Sequence, residues 1–121
     1  MSTAFEVWLD EERQIIRQRL HGEPDLATFL DIIVQTDACA QNLRQPTDVR
    51  ILVDGDWSGR MNRGVRSEAT KSLRRPELKR MAIVNSRGMV RVVLRFMSIA
   101  IGIDKIRAFP NEASALAWLL S

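Results

Sequence analysis

The sequence predicts an α/β protein: a mixed β-sheet that opens with a β-hairpin and is covered by helices, in the order β-β-α-β-α-β-α-β-α. Three observations predict it. Two short runs rich in apolar residues flank a four-residue polar turn near the start of the chain. Compact apolar runs with β-branched residues then alternate with stretches whose apolar residues recur every three or four positions. Strands that alternate with helices imply an α/β sheet with right-handed crossovers.

The elements follow in order. Phe5-Glu6-Val7-Trp8-Leu9 alternates, with Phe5, Val7 and Leu9 on one face. Asp10-Glu11-Glu12-Arg13 is the turn, Gln14 to Leu20 is the returning strand, and His21-Gly22 ends it. Glu23-Pro24-Asp25 opens a helix, since proline in a first turn and acids beside the N-terminus both suit a helix start. Leu26, Phe29, Leu30, Ile33 and Val34 give its periodicity, which fades near Asn42 before Pro46. Asp48 to Asp54 reads as a buried strand between Pro46 and Gly55, and Gly55-Asp56-Trp57-Ser58-Gly59 as a loop. Val65, Ala69 and Leu73 support a helix from about Met61 to Leu73, stopped by Arg74-Arg75-Pro76. Arg80 to Val84 is the next strand, ended by Asn85-Ser86.

The stretch from Arg87 to Ile101 fits both periods. Val90, Val92, Leu94 and Phe96 alternate, while Met89, Val92, Val93, Phe96, Ile99 and Ala100 form a helical stripe. Parallel flanking strands need a crossover of a dozen or so residues, which selects helix. Gly102-Ile103-Asp104 is a turn and Lys105 to Phe109 a short strand. Asn111 caps the last helix, with Ala115, Leu116, Trp118, Leu119 and Leu120 on its buried side. Residues 1–121 read as one domain without repeat or linker.

Composition narrows the function classes. Hydrophobic residues make up 45% and charged residues 27%, as in ordinary soluble domains. The single cysteine, Cys39, excludes an intrachain disulfide. With His21 the only histidine, no structural zinc site is expected, and no cofactor is called for. No apolar run approaches the length of a membrane span. The N-terminus lacks a basic region followed by an apolar core, so no signal peptide is expected and the default location is cytoplasmic.

The net charge of +3 hides an asymmetry. Residues 1–59 carry five Arg against eleven Asp/Glu, a net −6, and residues 60–121 thirteen Lys/Arg against four Asp/Glu, a net +9. Such a skew suits either an anionic partner or complementary faces, within one chain or between subunits. Nucleic acid is not expected, because the basic stretch has no interleaved aromatics to stack bases.

The loop from Asp54 to Gly64 leaves a strand's carboxyl end, where ligands of open α/β sheets favour the crevice. It holds Asp54, Asp56, Trp57, Ser58, Arg60 and Arg63, and Gly55, Gly59 and Gly64 permit backbone conformations that other residues avoid. A following helix N-terminus would present N–H groups to an anion. Ser86 and Arg87 end the neighbouring strand and would share that crevice. The loop reads either as an anion-binding or protein-docking surface or as ordinary turn chemistry; likewise Ser86 reads as a helix cap. It is not a P-loop, since no Gly-Lys-Ser/Thr follows. No nucleophile–base–orienter set is visible, so catalysis by Asp54 and Asp56 is not expected. Cys39 reads as a small apolar residue, His21 as solvated or packed, and Trp118 as core. Trp8 lies opposite the Phe5, Val7, Leu9 face, either under a helix or on an interface. Trp57 suits an interface hot spot beside Arg60 or a fold back over the sheet edge. Trp8 and the charge asymmetry would suit a homodimer.

The second half also carries a resemblance. Ile51-Leu52-Val53-Asp54, Arg80-Met81-Ala82-Ile83-Val84, Gly102-Ile103-Asp104-Lys105-Ile106-Arg107-Ala108-Phe109 and Glu112-Ala113-Ser114-Ala115-Leu116-Ala117-Trp118-Leu119 together resemble the SpoIIAA-like family of small bacterial proteins, relatives of STAS and CRAL-TRIO domains. The resemblance spans nearly the whole chain and implies a SpoIIAA-like, STAS-type fold. It implies a non-enzymatic regulatory or protein-interaction module, with a protein partner at the 54–64 loop and the following helix start. The alternative is a small-anion, nucleotide or lipid-headgroup binding protein using the same loop. The anti-sigma-factor antagonists among these relatives carry a phosphorylatable serine in an Asp-Ser-Ser-Gly turn. This chain lacks that tetrapeptide and offers Ser58 and Ser67 in its place. At 121 residues it is also expected to have little material for the deep acyl cavity of a CRAL-TRIO domain.

Overall fold

A computed structural model describes residues 4–55, 62–85 and 105–121. The hairpin comes first, as β1 (Ala4–Asp10) and β2 (Ile15–His21), followed by α1 (Leu26–Ala40) and β3 (Val49–Gly55). Then come α2 (Arg63–Leu73), β4 (Leu78–Val84), β5 (Ile106–Phe109) and α3 (Glu112–Leu119). The helix expected over 87–101 and the turn at 102–104 lie outside the described residues. So do Asp56, Trp57, Ser58, Arg60, Ser86 and Arg87 of the expected contact surface.

The five strands form one mixed sheet in sequence order. β1 pairs antiparallel with β2, and β2, β3, β4 and β5 run parallel to their neighbours. Side chains alternate across a strand, so β3 feeds both faces. Ile51 and Val53 join Ile16, Ile83, Ile106, Leu73 and Leu78 on the face under α1 and α2. Leu52 joins Ile15, Ala82, Val84, Ala115 and Leu119 on the face under α3. Each fully buried aliphatic side chain contributes about 1.5–3 kcal/mol relative to exposure.

The caps follow the sequence. The side chains of Asp25, Asn62 and Asn111 accept from the backbone N–H of Thr28, Val65 and Ser114 at 2.8, 2.8 and 2.9 Å. Pro24 therefore stands just before the N-cap rather than in the first turn. At the other end of α3, Arg50 donates to the carbonyl of Leu119 and Arg80 to that of Trp118. Cations suit a helix C-terminus, and here they come from the starts of β3 and β4. The Arg80 and Arg107 guanidiniums lie 5.0 and 5.2 Å from the Trp118 ring, which also packs on Phe109. Trp118 is thus half-buried, packed against the core on one side and flanked by the two cations on the other.

Several expectations are corrected. The residues that mark α1 in the sequence are only in part its inner face: Thr28, Ile32 and Thr36 are buried and Phe29 and Ile33 half-buried, while Leu26, Leu30 and Val34 are exposed, Val34 at 65%. Two threonines can be buried because their polar atoms are engaged locally: the Thr36 hydroxyl donates to the Ile32 carbonyl at 2.7 Å. Leu120 caps α3 and is exposed rather than buried. Gln14 belongs to the hairpin turn, with φ 57°. Its side chain donates to the Glu11 carbonyl and accepts from the Arg44 N–H. Neither Gly55 nor Gly64 takes a positive φ; Gly22 does, at 105°. Gly55 is needed for close approach instead, since a Cβ there would stand 3.1 Å from the Leu20 Cβ.

The hairpin is tied to α3 through charge. Asp10 accepts from the Arg13 N–H at 3.1 Å and from Arg17 Nε at 3.0 Å, and Arg17 also pairs with Glu112. Burial alone would raise the Asp10 carboxyl, but these donors outweigh it and hold it below its ordinary value. A carboxyl lowered in the folded state stabilises the fold above its unfolded pKa of about 3.9, and that stability is lost as pH falls through the lower folded value. Asp10→Asn should therefore be less stable than wild type at pH 7, with the gap closing below about pH 4. Urea denaturation across pH 2–7 measures it; a gap independent of pH would refute the assignment.

Candidate functional site

The parallel pairing of β3 with β4 sets Asp54 beside Val84, so the two chains leave the sheet from adjacent positions. Asn85 Nδ2 donates to Asp54 Oδ1 at 2.7 Å and ties the two exits together. Asn85 holds φ 59°, a left-handed conformation that asparagine tolerates better than most residues. Of the residues expected to form the contact surface, Asp54 is half-buried at the end of β3 and Arg63 is exposed at the first position of α2. Asp54 thus acts as a tether between strands. Asn85→Gly should lose about 1 kcal/mol through the missing hydrogen bond, and Asn85→Ala more, because alanine resists the positive φ. Thermal denaturation of both variants tests this; equal stability of wild type and both variants would show the tether to be idle.

A second feature was not foreseen. A slot of about 650 Å³ lies between α1, α2 and the sheet. Leu20, Phe29, Ile33, Val53 and Val65 line it towards the carboxyl ends of the strands, and Val49, Leu78, Met81 and Ile106 line it lower down. Val49 to Val53 spans about 13 Å along β3, so the slot is elongated. Its size lies within the roughly 300–1,000 Å³ of small-molecule pockets. No segment of the sequence signals such a slot, which depends on the spacing of two helices over the sheet. α1 and α2 are held apart over the sheet, with Ala69 and Ser72 presenting short side chains to the gap.

Two polar devices interrupt the apolar wall. Asp37 of α1 and Arg75, just beyond α2, pair at 2.6 Å where the slot reaches solvent, both half-exposed. Lys105 donates to the Arg75 carbonyl at 2.9 Å, adding β5's approach to the same corner. Deeper in, Gln18 Nε2 donates to the Thr36 hydroxyl at 2.9 Å. Gln18 and Thr36 escaped the sequence reading, yet a signal existed. Ile16, Gln18 and Leu20 alternate on one strand face, so a polar residue occupies an inward position.

The charge asymmetry has a partial structural counterpart. Asp37–Arg75 joins the acidic half to the basic half, whereas Arg17–Glu112 runs in the opposite sense. Cys39 packs against the core, and burial pushes its thiol up, away from the reactive thiolate. His21 is exposed at the end of β2, 3.9 Å from Glu6. Trp8 is half-buried on the sheet face opposite α1, with the Arg19 guanidinium 5.4 Å from its ring. Among the described residues, no group of three or more metal-ligating side chains converges. No helix among them is long and apolar enough to cross a membrane.

Comparison with known proteins bears on the same architecture. The SpoIIAA-like family model matches residues 15–120, from the first residue of β2 to the end of α3. The chain belongs to the SpoIIAA-like family. No curated protein and no solved structure matches it. The SpoIIAA-like assignment agrees with the mixed sheet and its helices, and the match leaves β1 outside its span.

Proposed function

We propose that this SpoIIAA-like chain is a non-catalytic regulatory module that takes a small apolar molecule in the slot between α1, α2 and the sheet. The slot itself carries the reading: its walls are aliphatic and aromatic, with few polar groups, and such a lining recognises a molecule by shape and burial rather than by reacting with it. A ligand held between two helices stabilises their spacing, and a protein partner that contacts those helices would sense occupancy.

The neutral fluorescent probe N-phenyl-1-naphthylamine tests this directly. Wild type should bind it with enhanced, blue-shifted emission, and at about a hundred times its dissociation constant it should add about 2.7 kcal/mol of stability. Ala69→Phe, which fills the gap from α2, should remain folded by circular dichroism and lose the probe. Equal binding by the filled variant would place the probe elsewhere and refute the reading.

A second reading concerns the strand exits. The Asp54–Asn85 hydrogen bond supports a shared origin for the two segments that carry Asp56, Trp57, Ser58 and Arg60 on one side and Ser86 and Arg87 on the other. With Arg63 they would form a contact surface for an acidic protein partner or a small anion. Inorganic phosphate and nucleotides should then raise the melting temperature of wild type and not that of Arg60→Ala/Arg63→Ala. The absence of any shift would leave an acidic protein as the partner for this surface, to be sought by pull-down with the same double variant as control.

A further inference from the structure

We infer that Gln18 selects the occupant of the slot, and that this occupant is an uncharged amphiphile with one hydrogen-bonding head, such as a medium-chain alcohol or primary amide. The inference rests on the slot being a ligand site and adds the class of ligand it takes.

Gln18 is 8% exposed and lines the slot from the middle of β2. A polar side chain that deep normally has its hydrogen-bonding capacity filled. Here one of its four hydrogen-bonding positions is filled by a described residue. The Thr36 hydroxyl has one proton, and that proton goes to the Ile32 carbonyl at 2.7 Å. Thr36 can therefore only accept from Gln18, which fixes the amide nitrogen towards α1 at 2.9 Å. The carboxamide oxygen Oε1 must then point away from Thr36, and it accepts no hydrogen bond among the described residues. Among those residues, no fully buried side-chain nitrogen or oxygen lacks a partner, so Oε1 opens onto the slot. One amide N–H also remains undonated.

The slot thus offers one acceptor and one donor from Gln18, deep in a mostly apolar wall. A hydroxyl or primary amide head complements both. An ionised head does not, because burying a charge without a counter-charge is costly. Of the charged groups that line the slot, Asp37 and Arg75 neutralise each other at 2.6 Å at its solvent end, and Glu77 adds a negative charge that further disfavours an anion. An alkane would leave Oε1 unsatisfied and dehydrated.

The experiment is displacement of N-phenyl-1-naphthylamine by decan-1-ol, decanamide, decane and decanoate at pH 8, on wild type and Gln18→Leu. Gln18→Leu should weaken decan-1-ol and decanamide about five- to tenfold and leave decane unchanged or tighter. Decanoate should be the weakest ligand of wild type. If Gln18→Leu fails to fold, Gln18→Met keeps the length of the side chain and removes its amide. Equal effects of the substitution on all four ligands would make Gln18 a plain wall residue and overturn the inference. So would decanoate binding more tightly than decan-1-ol. Failure of all four ligands, and of the probe, to bind wild type would instead overturn the slot reading itself.

Discussion

β3 is buried on both faces, and that burial obliges the chain to supply helices to both sides of the sheet. Val49, Ile51 and Val53 face α1 and α2, while Leu52 faces α3. Parallel pairing with β2 and β4 adds the need for crossover connections. The slot follows from the same arrangement. α1 and α2 both rest on the sheet face that β2, β3 and β4 present, and the space between them is walled below by the strands. The exits of β3 and β4 meet for the same reason, since parallel neighbours end on the same side.

Much of this architecture was legible in the sequence because it depends on local signals. The hairpin is announced by Asp10-Glu11-Glu12-Arg13, the helix starts by Asp25 and Asn111, and β3 by its compact apolar run around Arg50. Two features were not legible. The buried face of α1 uses Thr28 and Thr36, the latter with its hydroxyl engaged by the Ile32 carbonyl and the Gln18 amide, so hydropathy missed these two and counted the exposed Leu26, Leu30 and Val34. The slot depends on how far apart α1 and α2 sit, and spacing between helices is a property of packing that no single segment records. The expected contact surface is legible only as a composition of Asp, Ser, Arg and Gly, and the structure places two of its members, Asp54 and Arg63, at the mouths of consecutive elements.

The polar groups of the fold divide into two kinds. Those at the surface, such as Asp37 with Arg75, join elements through charges that water screens. Those inside, Gln18 and Thr36, join β2 to α1 where screening is weak and an unmet hydrogen bond is expensive. A single interior amide therefore has more leverage over what the slot admits than the Asp37–Arg75 pair at its rim.

The arginines that close α3 have a consequence for how the chain assembles. Arg50 and Arg80 reach the last carbonyls of the helix from positions 69 and 38 residues away in sequence. An eight-residue helix has little stability of its own in water. Ser121 serves the Trp118 carbonyl locally through its N–H and hydroxyl, and the two arginines reach the same end from strands that lie side by side. The C-terminal helix is thus coupled to the sheet: loosening the pairing of β3 with β4 would withdraw the two cations from its last carbonyls.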